Sequence, residues 1–144
     1  MEKNRKVLEA AVAELLSVTG QLTRRLRAVS NTRQLTWSQV SIMARLEEAG
    51  PMTTADLARA EAVKPQSMGA TLGLMEAEGL VERQPHPTDG RQVLCALTDE
   101  GQEARRKVRV AKRDWLLGAV EQLSPAEQKT LVAAVEIIRR LGEL

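Results

Sequence analysis

The sequence has no phenylalanine and no tyrosine, and only two tryptophans, one cysteine and one histidine in 144 residues. Each shortage excludes something. Single-stranded nucleic acid is held by stacking bases on aromatic rings, and Trp37 and Trp115, so far apart in sequence, build no such platform. Duplex DNA, read through its grooves and phosphates, stays open. A lone Cys95 forms no intramolecular disulfide, and with a lone His86 it supplies no zinc site of the usual kind. The same two residues give no nucleophile, base and orienting group, and no glycine loop is built to cradle phosphates. An enzyme is therefore not expected, nor is a metal or cofactor. The cysteine usage fits a reducing, cytoplasmic setting.

Long uncharged runs are missing too. The longest, Gln34 to Ala44 and Pro65 to Met75, fall well short of the roughly 20 apolar residues of a membrane span. Glu9 and Glu14 interrupt what would have to be the apolar stretch of an export signal behind Lys3, Arg5 and Lys6. Neither charge sign dominates: 21 Lys and Arg against 19 Asp and Glu give +2, which excludes polyanion binding by bulk charge but leaves room for local patches. Residues 1–36 carry 7 cations and 3 anions, 37–102 carry 5 and 10, and 103–144 carry 9 and 6.

What is present is helical periodicity with clear punctuation, and the length suits one domain. Leu8, Val12, Leu15, Leu22, Leu26 and Val29 recur at three-, four- and seven-residue intervals, which predicts a long helix over about 5–29, loosened near Gly20. Thr36 and Gln39 have capping-box spacing before a helix that carries Val40, Met43 and Leu46 inward and stops at Gly50-Pro51. Thr53 and Asp56 open a short helix to about Ala60 that buries Leu57. After a turn of about four residues, Pro65 starts another, with Met68, Leu72 and Met75 on its inner stripe and Gly79 at its end. A short helix, a turn and a longer helix make a helix-turn-helix over about 53–78.

From Leu80 the pattern becomes extended. Two runs, Leu80 to Arg83 and Val93 to Leu97, flank a segment containing Asp89-Gly90 and predict a two-stranded hairpin, a wing over about 80–98. Thr98, Asp99 and Glu100 cap a helix to about Gln122, and Ser124-Pro125-Ala126-Glu127 caps the last one, which carries Leu131, Val135, Ile138 and Leu141. The fold class is mainly α with a small β-hairpin wing.

Gly79-Leu80-Val81-Glu82-Arg83, then Asp89-Gly90-Arg91 and Leu97-Thr98, resemble the helix end, wing tip and strand exit of the MarR-type winged helix-turn-helix transcriptional regulators, and Pro65-Gln66-Ser67-Met68 resembles the start of a recognition helix in a subset of them. The resemblance covers essentially the whole of 1–144 as one domain. It implies a winged core over about 36–98, dimerisation helices over about 5–30 and 99–142, and a homodimer on a pseudo-palindromic operator. It further implies repression relieved by a small-molecule effector. Many members carry a Thr-Arg pair where this chain has Gly69-Ala70.

The candidate DNA-binding residues follow from placement. Lys64, Gln66, Ser67 and Thr71 are polar and lie off the Met68, Leu72, Met75 stripe, so they face the major groove; glutamine suits adenine, and a solvated helix start is the alternative. Arg91 at the wing tip suits the minor groove, with Asp89 orienting it; a plain surface ion pair is the alternative. Arg83 and His86 are assigned to phosphates, and Ser38 and Gln39 to a phosphate seat at a helix start, where capping alone would also explain them. Trp37 and Trp115 either line an effector pocket or fill core. Six cations between Arg105 and Arg113 surround their helix and read as a solvated face, the first of them flanking DNA beside the wing. Cys95 reads as a packing residue. The partners expected are duplex DNA, a second copy of the chain and a small-molecule effector, with no membrane. A helical dimeric scaffold or protein-interaction module without DNA binding is the alternative function.

Overall fold

The computed structural model describes residues 2–144. Six helices and three strands follow in the order α1 (Glu2–Ser30), α2 (Trp37–Ala49), β1 (Met52–Thr53), α3 (Thr54–Ala60), α4 (Pro65–Ala77), β2 (Val81–Pro85), β3 (Val93–Leu97), α5 (Asp99–Glu121) and α6 (Pro125–Gly142). They fall into two units. One is the winged core, residues 31–109; the other holds α1 together with residues 110–144. The division lies inside α5 and not at its start, because Gly101 and Ala104 of its first turns are buried.

The caps do what their spacing predicts. Thr36 Oγ1 accepts from Gln39 N at 3.2 Å while Gln39 Oε1 accepts from Thr36 N at 2.9 Å, and Ser124 and Glu127 repeat the exchange at the start of α6. Thr53 gives only half a box, its hydroxyl accepting from Asp56 N at 3.1 Å.

One expectation is corrected and another extended. Helix α1 runs unbroken through Gly20, since one interior glycine costs only about 1 kcal/mol, too little to interrupt a helix of 29 residues. The wing hairpin forms as predicted, β2 pairing antiparallel with β3, and a third strand that the sequence does not predict, β1, extends it to a sheet in the order β1-β3-β2. Strand β1 pairs Met52 with Cys95 and Thr53 with Leu94, and two residues are too few to show an alternating pattern in sequence.

The core unit packs Ile42, Met43 and Leu46 of α2 against Leu57, Met68, Leu72 and Met75 of the helix-turn-helix, closed by Leu80, Val81 and Cys95. Val40 lies at its edge and Ile42 takes the deeper place. Burial pushes the Cys95 thiol up to about 11, against a smaller lowering by Arg83, so it stays a neutral packing group. Among the described residues no helix is long and apolar enough to cross a membrane.

The terminal unit leaves apolar side chains in solvent. On α1, Val7, Leu8 and Leu16 are exposed; on α6, Val132, Ile138 and Leu141 are.

Candidate nucleic-acid interface

The helix-turn-helix is built from two helix ends of the same design. At the end of α3, Ala62 N donates to Arg59 O (3.3 Å) and Val63 N to Ala58 O (3.0 Å), with Ala62 in the left-handed region at φ 54°. At the end of α4, Gly79 N donates to Glu76 O and Leu80 N to Met75 O, both at 3.0 Å, with Gly79 at φ 74°. Both are Schellman endings, which satisfy the last carbonyls and reverse the chain within two residues.

The turn between α3 and α4 is fastened to α2. Glu61 accepts from the Ser41 hydroxyl at 2.9 Å and pairs with Arg45, whose Nη2 also donates to Ala60 O at 2.9 Å. The far end of α4 is fastened to α5. Thr98 Oγ1 donates to Gly79 O at 2.5 Å and accepts from Gly101 N at 3.0 Å, and Gly101 itself has no room for a side chain because a Cβ would overlap Leu80 O. Helix α4 is thus held at both ends with its outer face open.

On that face the sequence candidates divide. Lys64 is the N-cap of α4 and makes no side-chain cap bond. Gln66 and Ser67 are exposed. Thr71 is half-buried and its hydroxyl proton is spent on Ser67 O at 3.1 Å, so only its acceptor capacity is left. At the start of α2, Ser38 is exposed, but Gln39 is only 8% accessible and its amide oxygen holds the cap. Gln39 thus closes the capping box of α2, the alternative its spacing offered beside a phosphate seat.

The wing holds the second group. His86 N donates to Gln92 O at 3.2 Å, and the loop between them is wrapped around the His86 ring, whose Nδ1 accepts from Thr88 N at 3.2 Å and from Asp89 N at 3.0 Å. An acceptor at Nδ1 puts the neutral ring's proton on Nε2, so His86 is first a loop organiser with one donor left to offer. Asp89 Oδ1 accepts from Arg91 N at 3.0 Å and lies 3.7 Å from Arg91 Nε. It fixes the backbone beneath a guanidinium side chain that is 96% exposed.

Arg83 is engaged with its own chain. Its Nη1 donates to Thr54 Oγ1 at 3.1 Å and its Nε lies 3.4 Å from Glu76, so it ties β2 to α3 and α4. These contacts give Arg83 a role within the chain beside its expected one at a phosphate. Arg105 is not a DNA-flanking cation: it is largely buried and, with Arg109, holds Glu47 of α2.

The tryptophans lie in different units. Trp37 opens α2 and is exposed, while Trp115 on α5 is half-buried, with the Arg25 guanidinium 5.6 Å from its ring centroid. The core unit also carries a groove of about 740 Å³ bordered by Leu46, Glu47, Pro51, Asp99, Arg106 and Arg109. Leu74 of α4 lies off the Met68, Leu72, Met75 stripe and is exposed, an outer-face residue the sequence reading does not name.

Comparison with known proteins points the same way. The sequence profile of the MarR family matches residues 35–93. An HTH-type transcriptional regulator of Mycobacterium tuberculosis is 34% identical over 121 residues, 84% of this chain and 85% of that one. The crystal structure of RV1404 from the same organism superposes with a TM-score of 0.80 at 29% identity, covering 93% of each chain. A mutant of MepR from S. aureus, bound to an oligodeoxyribonucleotide, shares the fold at a TM-score of 0.73 and 17% identity, with 91% of this chain and 97% of that one covered.

Proposed function

Because the chain belongs to the MarR family of DNA-binding transcriptional regulators, which are not enzymes, we propose that it works as a homodimeric, effector-responsive repressor on a pseudo-palindromic operator. The observation that carries the dimer is the apolar surface of the terminal unit. Leu16 and Val132 are each 73% exposed, and Leu8 and Ile138 are more than half exposed, an arrangement that a monomer in water does not favour. A second copy covers such side chains with its own terminal helices, and two-fold symmetry then sets two recognition helices about one helical turn of DNA apart.

In this reading α4 enters the major groove with Lys64, Gln66, Ser67 and Thr71, Ser38 lies toward a phosphate, and the wing places Arg91 in the flanking minor groove with His86 beside it. The oligonucleotide bound to the MepR mutant supports this use of the shared fold. A dimer seated on a promoter excludes polymerase sterically, so repression needs no further contact. The protein acts where the chromosome is, in the cytoplasm.

Effector control is the third part of the proposal. A small molecule that binds one arrangement of the dimer better than another shifts the spacing of the recognition helices. Trp37 in the core unit or Trp115 in the terminal unit offers a ring face for it, and the groove beside Arg106 and Arg109 offers a seat within the core unit.

Sedimentation of the full-length protein tests the dimer. A dimer that Leu8→Glu with Ile138→Glu converts to a folded monomer supports the proposal. A wild-type chain that sediments as a monomer, or a doubly substituted chain that stays dimeric, contradicts it.

A further inference from the structure

Successive residues of an α-helix turn by about 100°. Viewed down α4, Met68, Leu72 and Met75 mark the buried direction, and the opposite direction is occupied by Gln66, Ala70, Gly73 and Ala77, with Ser67 and Leu74 beside them. No charged side chain occurs from Pro65 to Met75. The nearby arginines are committed within the chain: Arg45 to Glu61, Arg59 to Asp56, Arg83 to Glu76 and Thr54. A guanidinium reading guanine is therefore absent from the centre of this face. At its centre the face offers one amide, one hydroxyl and apolar groups, the largest of which is Leu74, 64% exposed, while Lys64 and Thr71 lie toward its edge.

We infer that Ala70 and Leu74 read thymine methyl groups in the major groove beside an adenine read by Gln66, so that the part of the half-site facing the centre of α4 is specified by A·T pairs rather than by guanines. Apolar contact with the C5 methyl is the means by which a side chain without hydrogen-bonding atoms distinguishes thymine from cytosine and from either purine. Close approach is needed for a short side chain such as Ala70 to reach a base edge. The surface allows it: a Cβ at the neighbouring Gly73 would meet no atom of the chain, so the backbone there is open to an incoming groove. Gln66 and Ala70 are one turn apart, about 6 Å along the axis, which sets their targets about one to two base pairs apart.

The inference rests on the assignment of α4 as the recognition helix, and the experiment separates the two. Duplexes are selected from a random-sequence library with the full-length protein. In the tightest duplex each thymine is replaced in turn by deoxyuridine, which lacks only the C5 methyl. The expected result is binding weakened about three- to fivefold at one or two positions in each half-site, the effect of one buried methyl group. That sensitivity should vanish at one position in Leu74→Ala and at another in Ala70→Gly, the thymine-to-deoxyuridine ratio cancelling any general loss of affinity. Deoxyuridine tolerated at every position, or a sensitivity that both variants keep, overturns the inference while leaving DNA binding by α4 in place. A library that yields no duplex above background contradicts the assignment of α4 itself.

Discussion

The Ser41 hydroxyl lies 2.9 Å from both carboxylate oxygens of Glu61, joining the second helix to the turn of the helix-turn-helix. Glu61 is mostly buried and Arg45 less so, which places most of the stabilisation in the hydroxyl bond and less in the half-solvated ion pair. Glu61→Ala, which removes the acceptor, should cost about 1 to 3 kcal/mol in denaturant unfolding. A cycle with Ser41→Ala should show coupling between the two sites. Additive effects of the two substitutions would mean that the contact does not hold the turn.

Ala62 occupies the left-handed position that Gly79 fills at the end of the next helix. An alanine there is strained by about 1 to 2 kcal/mol, against which glycine loses part through the greater freedom of the unfolded chain. Ala62→Gly should therefore raise stability by about 0.5 to 1 kcal/mol, seen as a higher thermal midpoint with DNA affinity unchanged. A lower midpoint would show that the turn is relaxed with alanine.

Cys95 should be silent to thiol reagents at pH 8 in the native protein and react only as the chain unfolds, because the thiol is buried and neutral. Its pKa is raised from 9.0 to about 11. The native state thus holds the proton more tightly than the unfolded one, and this contribution to stability is complete below pH 9 and lost as the pH rises through 11. Cys95→Ala should flatten that alkaline decline. Rapid modification in the native state would contradict the burial.

Much of this was legible in the sequence because it depends on local chemistry. The boxes at Thr36 and Ser124, the proline starts of α4 and α6 and the inner stripe of Met68, Leu72 and Met75 are written in spacings of three and four residues. What was not legible depends on partners distant in the chain. Strand β1 exists only because β3 lies beside it, Arg83 is occupied by Thr54 and Glu76, and Arg105 by Glu47. Gln39 carried two readings, and only its burial decided for capping.

The central claim, that α4 reads sequence while the wing supplies affinity, is tested most directly by titrating a selected duplex with the wild type, Gln66→Ala and Arg91→Ala at several salt concentrations. Gln66→Ala should weaken binding by about 1 to 3 kcal/mol and relax the preference at one base position, with the salt slope unchanged. Arg91→Ala should weaken all sequences evenly and reduce the salt slope by about 1. Equal and small effects from both substitutions, with no change in base preference or salt slope, would contradict the claim.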